Sequence, residues 1–126
     1  MMSDLRDTGR DILREVVGQE YFDRREASTN AFNADARQLS EKYCFGEIWS
    51  RPGLERKTRS LLCVAMMIAL NRQHELRIHL GTAITNGATS DEIKETVLQS
   101  IIYCGLPAGL EGMRVAEEVL GDRGLL

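Results

Sequence analysis

The sequence predicts an all-α subunit of about six helices, on three observations. No stretch alternates apolar and polar residues in the way a strand does. Apolar residues recur at three- and four-residue spacings along the whole chain. Gly, Pro and Asn-Gly punctuation falls between those periodic segments. No repeat, low-complexity tract or long linker divides the 126 residues, so residues 1–126 fit one domain with a single core, or a subunit that completes its core by association.

The elements follow in order. Residues 4–17 carry Leu5, Ile12, Leu13, Val16 and Val17 among charges, and Gly18 suits a helix stop. A second helix is predicted from about Asn30 to Tyr43, on the spacing of Phe32, Ala36, Leu39 and Tyr43. In "CFGEIWSRPGLERKTRS", Gly46, Pro52 and Gly53 predict a loop or short helical turn. The ten residues Leu61 to Leu70 are all apolar. They fall far short of the roughly 20 needed to span a bilayer, so they predict a helix that needs cover on every side. A chain this small has few helices to give that cover, and part of this one is expected to face another subunit. Met66 and Met67 read either as core filler or as part of that surface.

The next helix holds "RQHELRIHL" and runs to "AITNG", with Gly87 as its αL cap. Thr89 and Glu92 form a capping box that starts another helix. Its apolar stripe is Ile93, Val97, Leu98, Ile101 and Ile102, and Gly105 and Pro107 end it. A last helix is expected from about Pro107 to Gly121.

Composition excludes several function classes. With 43% apolar and 28% charged residues and a net charge of -3, the chain has no basic patch for nucleic acid. The amino terminus "MMSDLRDTGRDILREVV" is charged and amphipathic, with no apolar h-region, which leads us to expect a cytoplasmic protein. Cys44, Cys63 and Cys104 are spaced as neither a disulfide framework nor a C-x-x-C pair, and are expected to be reduced, partly buried thiols.

Both histidines lie in "RQHELRIHL", with a glutamate between them. The zinc motif H-E-x-x-H needs its imidazoles four apart on one helical face. His74 and His79 are five apart, which turns them roughly 140° from each other. Arg72, Glu75 and His79, at i, i+3 and i+7, line one face instead, beside a core stripe of Leu76, Leu80 and Ala83. A His with a carboxylate one turn back is expected to have a raised pKa and to suit proton donation near neutral pH. Such a pair is also ordinary surface decoration. Around Trp49, the sole tryptophan, stand Glu47, Arg51, Arg56 and Arg59. They read either as a solvated loop anchored by Trp49, or as a wall whose arginines bind carboxylates. The sequence has no Gly-rich phosphate loop, nucleophile elbow or metal cluster. An enzyme built from it would work by acid and base groups and electrostatics.

Together, "YCFGEIWSRPGLERKTRSLLCVAMMIAL" and "HELRIHLGTAITNGATSDEIKETVLQSIIYCGLPA" resemble the carboxymuconolactone decarboxylase family, over roughly Tyr21 to Leu120. Its alkylhydroperoxidase-type (AhpD-like) relatives carry C-x-x-C followed by His on the equivalent helix. Here Arg72 and Glu75 stand where that dithiol would align, and His79 stays, so no dithiol cycle is available. The resemblance implies an AhpD-like all-α fold assembled as a homo-oligomer, usually a hexameric ring. It further implies a decarboxylase of 4-carboxymuconolactone, or of a related lactone or keto acid, in the β-ketoadipate pathway of aromatic catabolism, with no metal or organic cofactor. By the same resemblance Glu47, Arg51, Arg59, Glu75 and His79 fall at motif positions: His79, Glu75 and Glu47 are expected to be catalytic, and Arg51 and Arg59, with Trp49 as an apolar wall, to bind the substrate. One departure is Glu111 in "GLEGMR", a carboxylate that would repel a dianionic substrate unless an arginine compensates. The competing readings are an oligomeric small-acid-binding protein on the same fold, and a paralogue acting on a different substrate.

Overall fold

The structure is a computed structural model and describes residues 2–126. Among the described residues it is entirely helical: α1 (Met2–Val17), α2 (Gln19–Ala27), α3 (Ala34–Leu39), a π-helix (Ser40–Trp49), α4 (Arg56–Ala69), α5 (Gln73–Thr85), α6 (Ser90–Cys104) and α7 (Leu106–Asp122). The helices form two compact units, one running to Arg56 and one starting at Lys57.

In the first unit α1 packs along the π-helix, burying Leu13 and Val16. The two backbones approach closely. A Cβ on Gly9 would lie 1.7 Å from the Glu41 carbonyl oxygen, and one on Gly46 would lie 2.6 Å from that of Leu5. Phe22 is the buried residue of α2, and the guanidiniums of Arg10 and Arg14 lie over its ring at 5.3 and 5.5 Å. Glu41 is only 2% exposed. It accepts hydrogen bonds from Arg6 at 2.8 Å, Arg10 at 3.0 Å and Arg25 at 2.8 Å. Burial works against its charge, but the bonds from Arg6 and Arg25, with the nearby charges of Arg25 and Arg10, hold the carboxyl below its ordinary value.

The second unit has an apolar core. Val64 and Ile68 of α4, Leu76 and Leu80 of α5, Ile93 of α6 and Val115 of α7 belong to one cluster. The capping box is present, with Thr89 Oγ1 accepting from the Glu92 amide at 3.1 Å and the Glu92 carboxylate accepting from the Thr89 amide at 2.9 Å. Gly87 and Gly105 take φ of 97° and 101°, as helix ends favouring glycine require. The all-apolar run of residues 61–70 is only partly covered: Met67 packs against the core, whereas Leu62 and Met66 of α4, and Leu70 just after it, are exposed.

The structure corrects the sequence reading of the helices and of the cysteines. The helix expected from Asn30 to Tyr43 is a short α3 that passes into the π-helix, and Cys44 to Trp49, expected as a loop or short helical turn, continues that helix without a break. Gly46 is there because α1 comes too close for a side chain, not to break the helix. The helix α2 went unpredicted, and with the π-helix it takes the total past six. Cys44 and Cys104 are exposed, and only Cys63 is partly buried.

Candidate active site

In the second unit, the buried stripe of Leu76, Leu80 and Ala83 fixes the rotation of α5, which leaves Glu75 exposed and His79 half-buried on a neighbouring face. The Nδ1 of His79 is buried with no hydrogen-bond partner among the described residues. Burial holds this imidazole below its ordinary 6.5, and the charge of Glu75 pulls the other way without overcoming it. The expectation of a raised pKa is therefore wrong in direction: desolvation of a half-buried ring outweighs an exposed carboxylate. His74 is exposed, as its place off this face implies. Arg72 is the N-cap of α5, exposed and with non-helical φ -107° and ψ 80°, so it stands at the edge of the helix that carries Glu75 and His79. Arg59 is half-buried on α4.

Glu111 has the compensating arginine that its charge demands. Arg114 Nε donates to it at 3.0 Å, and Gln73 donates from α5 at 3.2 Å. Arg114 also bonds Glu118, which accepts from Arg77 of α5. This surface ladder ties α5 to α7 and gives the Glu111 carboxylate its counter-charge.

In the first unit Glu47 and Trp49 lie on the π-helix, and Arg51 follows it, its amide donating to the Ile48 carbonyl at 3.1 Å. Glu47 and Arg51 are exposed. Trp49 is 7% exposed, stacks on Phe45 at 5.8 Å between ring centroids, and shares a hydrogen bond with Cys44. It has little surface to offer a ligand and anchors the helix end. Of the residues singled out in the sequence, the structure thus brings together Glu75 with His79 on α5, whereas Glu47 and Trp49 share the π-helix with one exposed and the other buried. Sequence reasoning missed Glu41 and its arginines. Only the i, i+4 spacing of Arg6 and Arg10 hinted at a common target, and Glu41 lies 35 residues from Arg6.

Among the described residues, no three His, Cys, Asp or Glu side chains stand close enough to hold a metal ion, and no helix is long and apolar enough to cross a membrane.

Residues 34–118 match the carboxymuconolactone decarboxylase family. The chain belongs to that family. The match takes in the π-helix, α4, α5 and α6, and with them all six candidate residues. Among its relatives, a 4-carboxymuconolactone decarboxylase of Acinetobacter baylyi is 44% identical over 117 residues, covering 93% of this chain and 87% of that protein. A nitrosuccinic acid decarboxylase (npaB) of Metarhizium robertsii is 36% identical over 116 residues, covering 92% of this chain and 81% of that protein. An uncharacterized 15.0 kDa protein of Paracoccus denitrificans is 32% identical over 107 residues, with 82% and 77% covered.

Proposed function

We propose that this protein is a cytoplasmic, cofactor-free decarboxylase that converts 4-carboxymuconolactone to the 3-oxoadipate enol-lactone, as a homo-oligomer on the family's hexameric pattern. The reading is carried by the 44% identity to a decarboxylase of that compound, spread over 93% of the chain. The exposed Leu62, Met66 and Leu70 support the assembly.

In 4-carboxymuconolactone the departing carboxylate sits on a ring carbon conjugated through C=C to the lactone carbonyl. When CO2 leaves, the C–C bonding pair moves into that system and gives a dienolate, so the substrate is its own electron sink. The protein stabilises charge growing on the lactone oxygen, at about 3 to 4 kcal/mol per well-aimed donor. It then delivers one proton to the carbon next to the carbonyl. We assign the proton to His79, with Glu75 raising its basicity and Glu47 as the alternative acid, and substrate carboxylate binding to Arg51 and Arg59. Trp49 contributes as an apolar wall only through the small edge it exposes.

The neutral His79 of the free protein adds a condition. Two substrate carboxylates bring the negative charge that Glu75 alone does not, so binding raises the imidazole pKa and loads the proton. kcat/KM, which reports the free enzyme, then falls as pH rises above the depressed His79 value, while kcat holds to higher pH. His79→Gln is expected to lower kcat by roughly 100- to 10,000-fold. Full turnover with an unchanged pH profile in that variant would remove His79 from the reaction.

A second reading has its own support in the 36% identical nitrosuccinic acid decarboxylase. Nitrosuccinate also loses its carboxylate from a carbon joined to an electron acceptor, there a nitro group. Purified protein is given each compound in parallel and CO2 is followed. Release from the lactone with formation of enol-lactone upholds the proposal, release from nitrosuccinate alone transfers it to the second reading, and saturable binding of both without CO2 refutes a decarboxylase.

A further inference from the structure

The π-helix is the least ordinary segment of the molecule. Such helices normally occur as single-turn bulges inside α-helices, whereas this one runs ten residues, Ser40–Trp49. A conformation this costly persists only where its surroundings over-determine it. Two features of the first unit do so. The backbone of α1 lies against it at Gly9 and Gly46, where no Cβ fits. The second is the carboxylate of Glu41, in the first turn of the π-helix, which is tied to Arg6 and Arg10 of α1 and Arg25 of α2. Arg10 and Arg25 are themselves shared with Glu26, at 3.0 and 3.3 Å. The start of the helix is therefore fixed in direction as well as position.

Winding decides where the far end points. Bonds from i to i+5 turn the chain by roughly 80° per residue, against roughly 100° in an α-helix. Over the six residues from Glu41 to Glu47 the two windings diverge by roughly 120°. Glu47 would face a different side of the helix if the segment relaxed to α.

We infer that Glu41 is a positioning residue: clamped by Arg6, Arg10 and Arg25, it holds the π winding of residues 40–49 and so sets the direction in which Glu47 is presented. The inference rests on the reading of Glu47 as a functional group given above. Glu41 touches no substrate and acts through the helix that carries Glu47.

The test uses the full-length protein. Trp49, the sole tryptophan, ends the π-helix and reports its winding without any ligand. Glu41→Gln is expected to shift Trp49 emission, to speed amide exchange across residues 44–49 at least tenfold, and to lower kcat for 4-carboxymuconolactone at least tenfold with KM changed less than threefold. Glu41→Asp, which keeps the charge, recovers part of kcat. If Glu41→Gln does not fold, Arg6→Gln removes one of the three arginine partners and is expected to move emission, exchange and kcat in the same directions by smaller factors. Wild-type emission and exchange in the folded variant would overturn the clamp, and altered emission with wild-type kcat would overturn the positioning role. Full turnover in Glu47→Gln would instead overturn the functional reading of Glu47, a result distinct from either.

Discussion

In the first unit a carboxylate, Glu41, sits at 2% exposure under three arginines. In the second, Leu80, Ile93, Val64 and Val97 fill the interior at 0% and the ion pairs lie on the outside. Burial of apolar area is non-directional, so such a core fixes how helices pack more than where one side chain points. Charge-assisted hydrogen bonds demand both distance and angle. The difference teaches that one chain can stabilise a helix in two ways, and that the directional one is found where the backbone adopts an unusual winding.

Removing the centre of each unit gives the largest effects. Glu41→Ala leaves three arginines without their shared partner and is expected to cost about 3 to 5 kcal/mol, seen as loss of amide protection in residues 4–49. Leu80→Ala opens a cavity in a fully packed core and is expected to cost about 3 kcal/mol, with protection lost in α5 and α7. Equal loss in both regions from either variant would erase the contrast.

Acid separates the units by window. The unfolded chain protonates Glu41 near the ordinary 4.5, and the folded chain does so only at lower pH, so this contribution is complete above 4.5 and is lost as pH falls below it. For His79 the unfolded chain protonates near 6.5 and the folded chain lower, so stability also falls as pH drops, but the decline starts near 6.5. A denaturation series from pH 8 to 3 should show two steps, with His79→Gln removing the upper and Glu41→Gln the lower.

Smaller effects come from the edges of the second unit. Thr89→Ala removes the capping box and is expected to cost about 1 kcal/mol by chemical denaturation. Glu118→Gln, on the exposed ladder to Arg77 and Arg114, is expected to leave the melting temperature unchanged within error.

What the sequence disclosed follows the same division. The helices α4 to α7 were legible because apolar spacing and the Thr89–Glu92 box report local, non-directional requirements. The helix α2 was not, because "QEYFDRREA" buries Phe22 alone and shows no stripe. The π-helix was hidden because Gly46 reads as a breaker until the Leu5 carbonyl is seen beside it. At the candidate site, the neighbourhood of Glu75 and His79 was readable from their spacing. The protonation sense of His79 was not, since it depends on burial that no spacing reveals.

If copies assemble as proposed, the partly coated α4 makes concentration a variable of this protein's structure. A single chain leaves Leu62, Met66 and Leu70 to water. On the proposed assembly, copies that meet there bind the folded state and not the unfolded one, so mass action ties stability to dose. Dilution should lower the melting point and cut specific activity together, and either should recover on concentrating the sample.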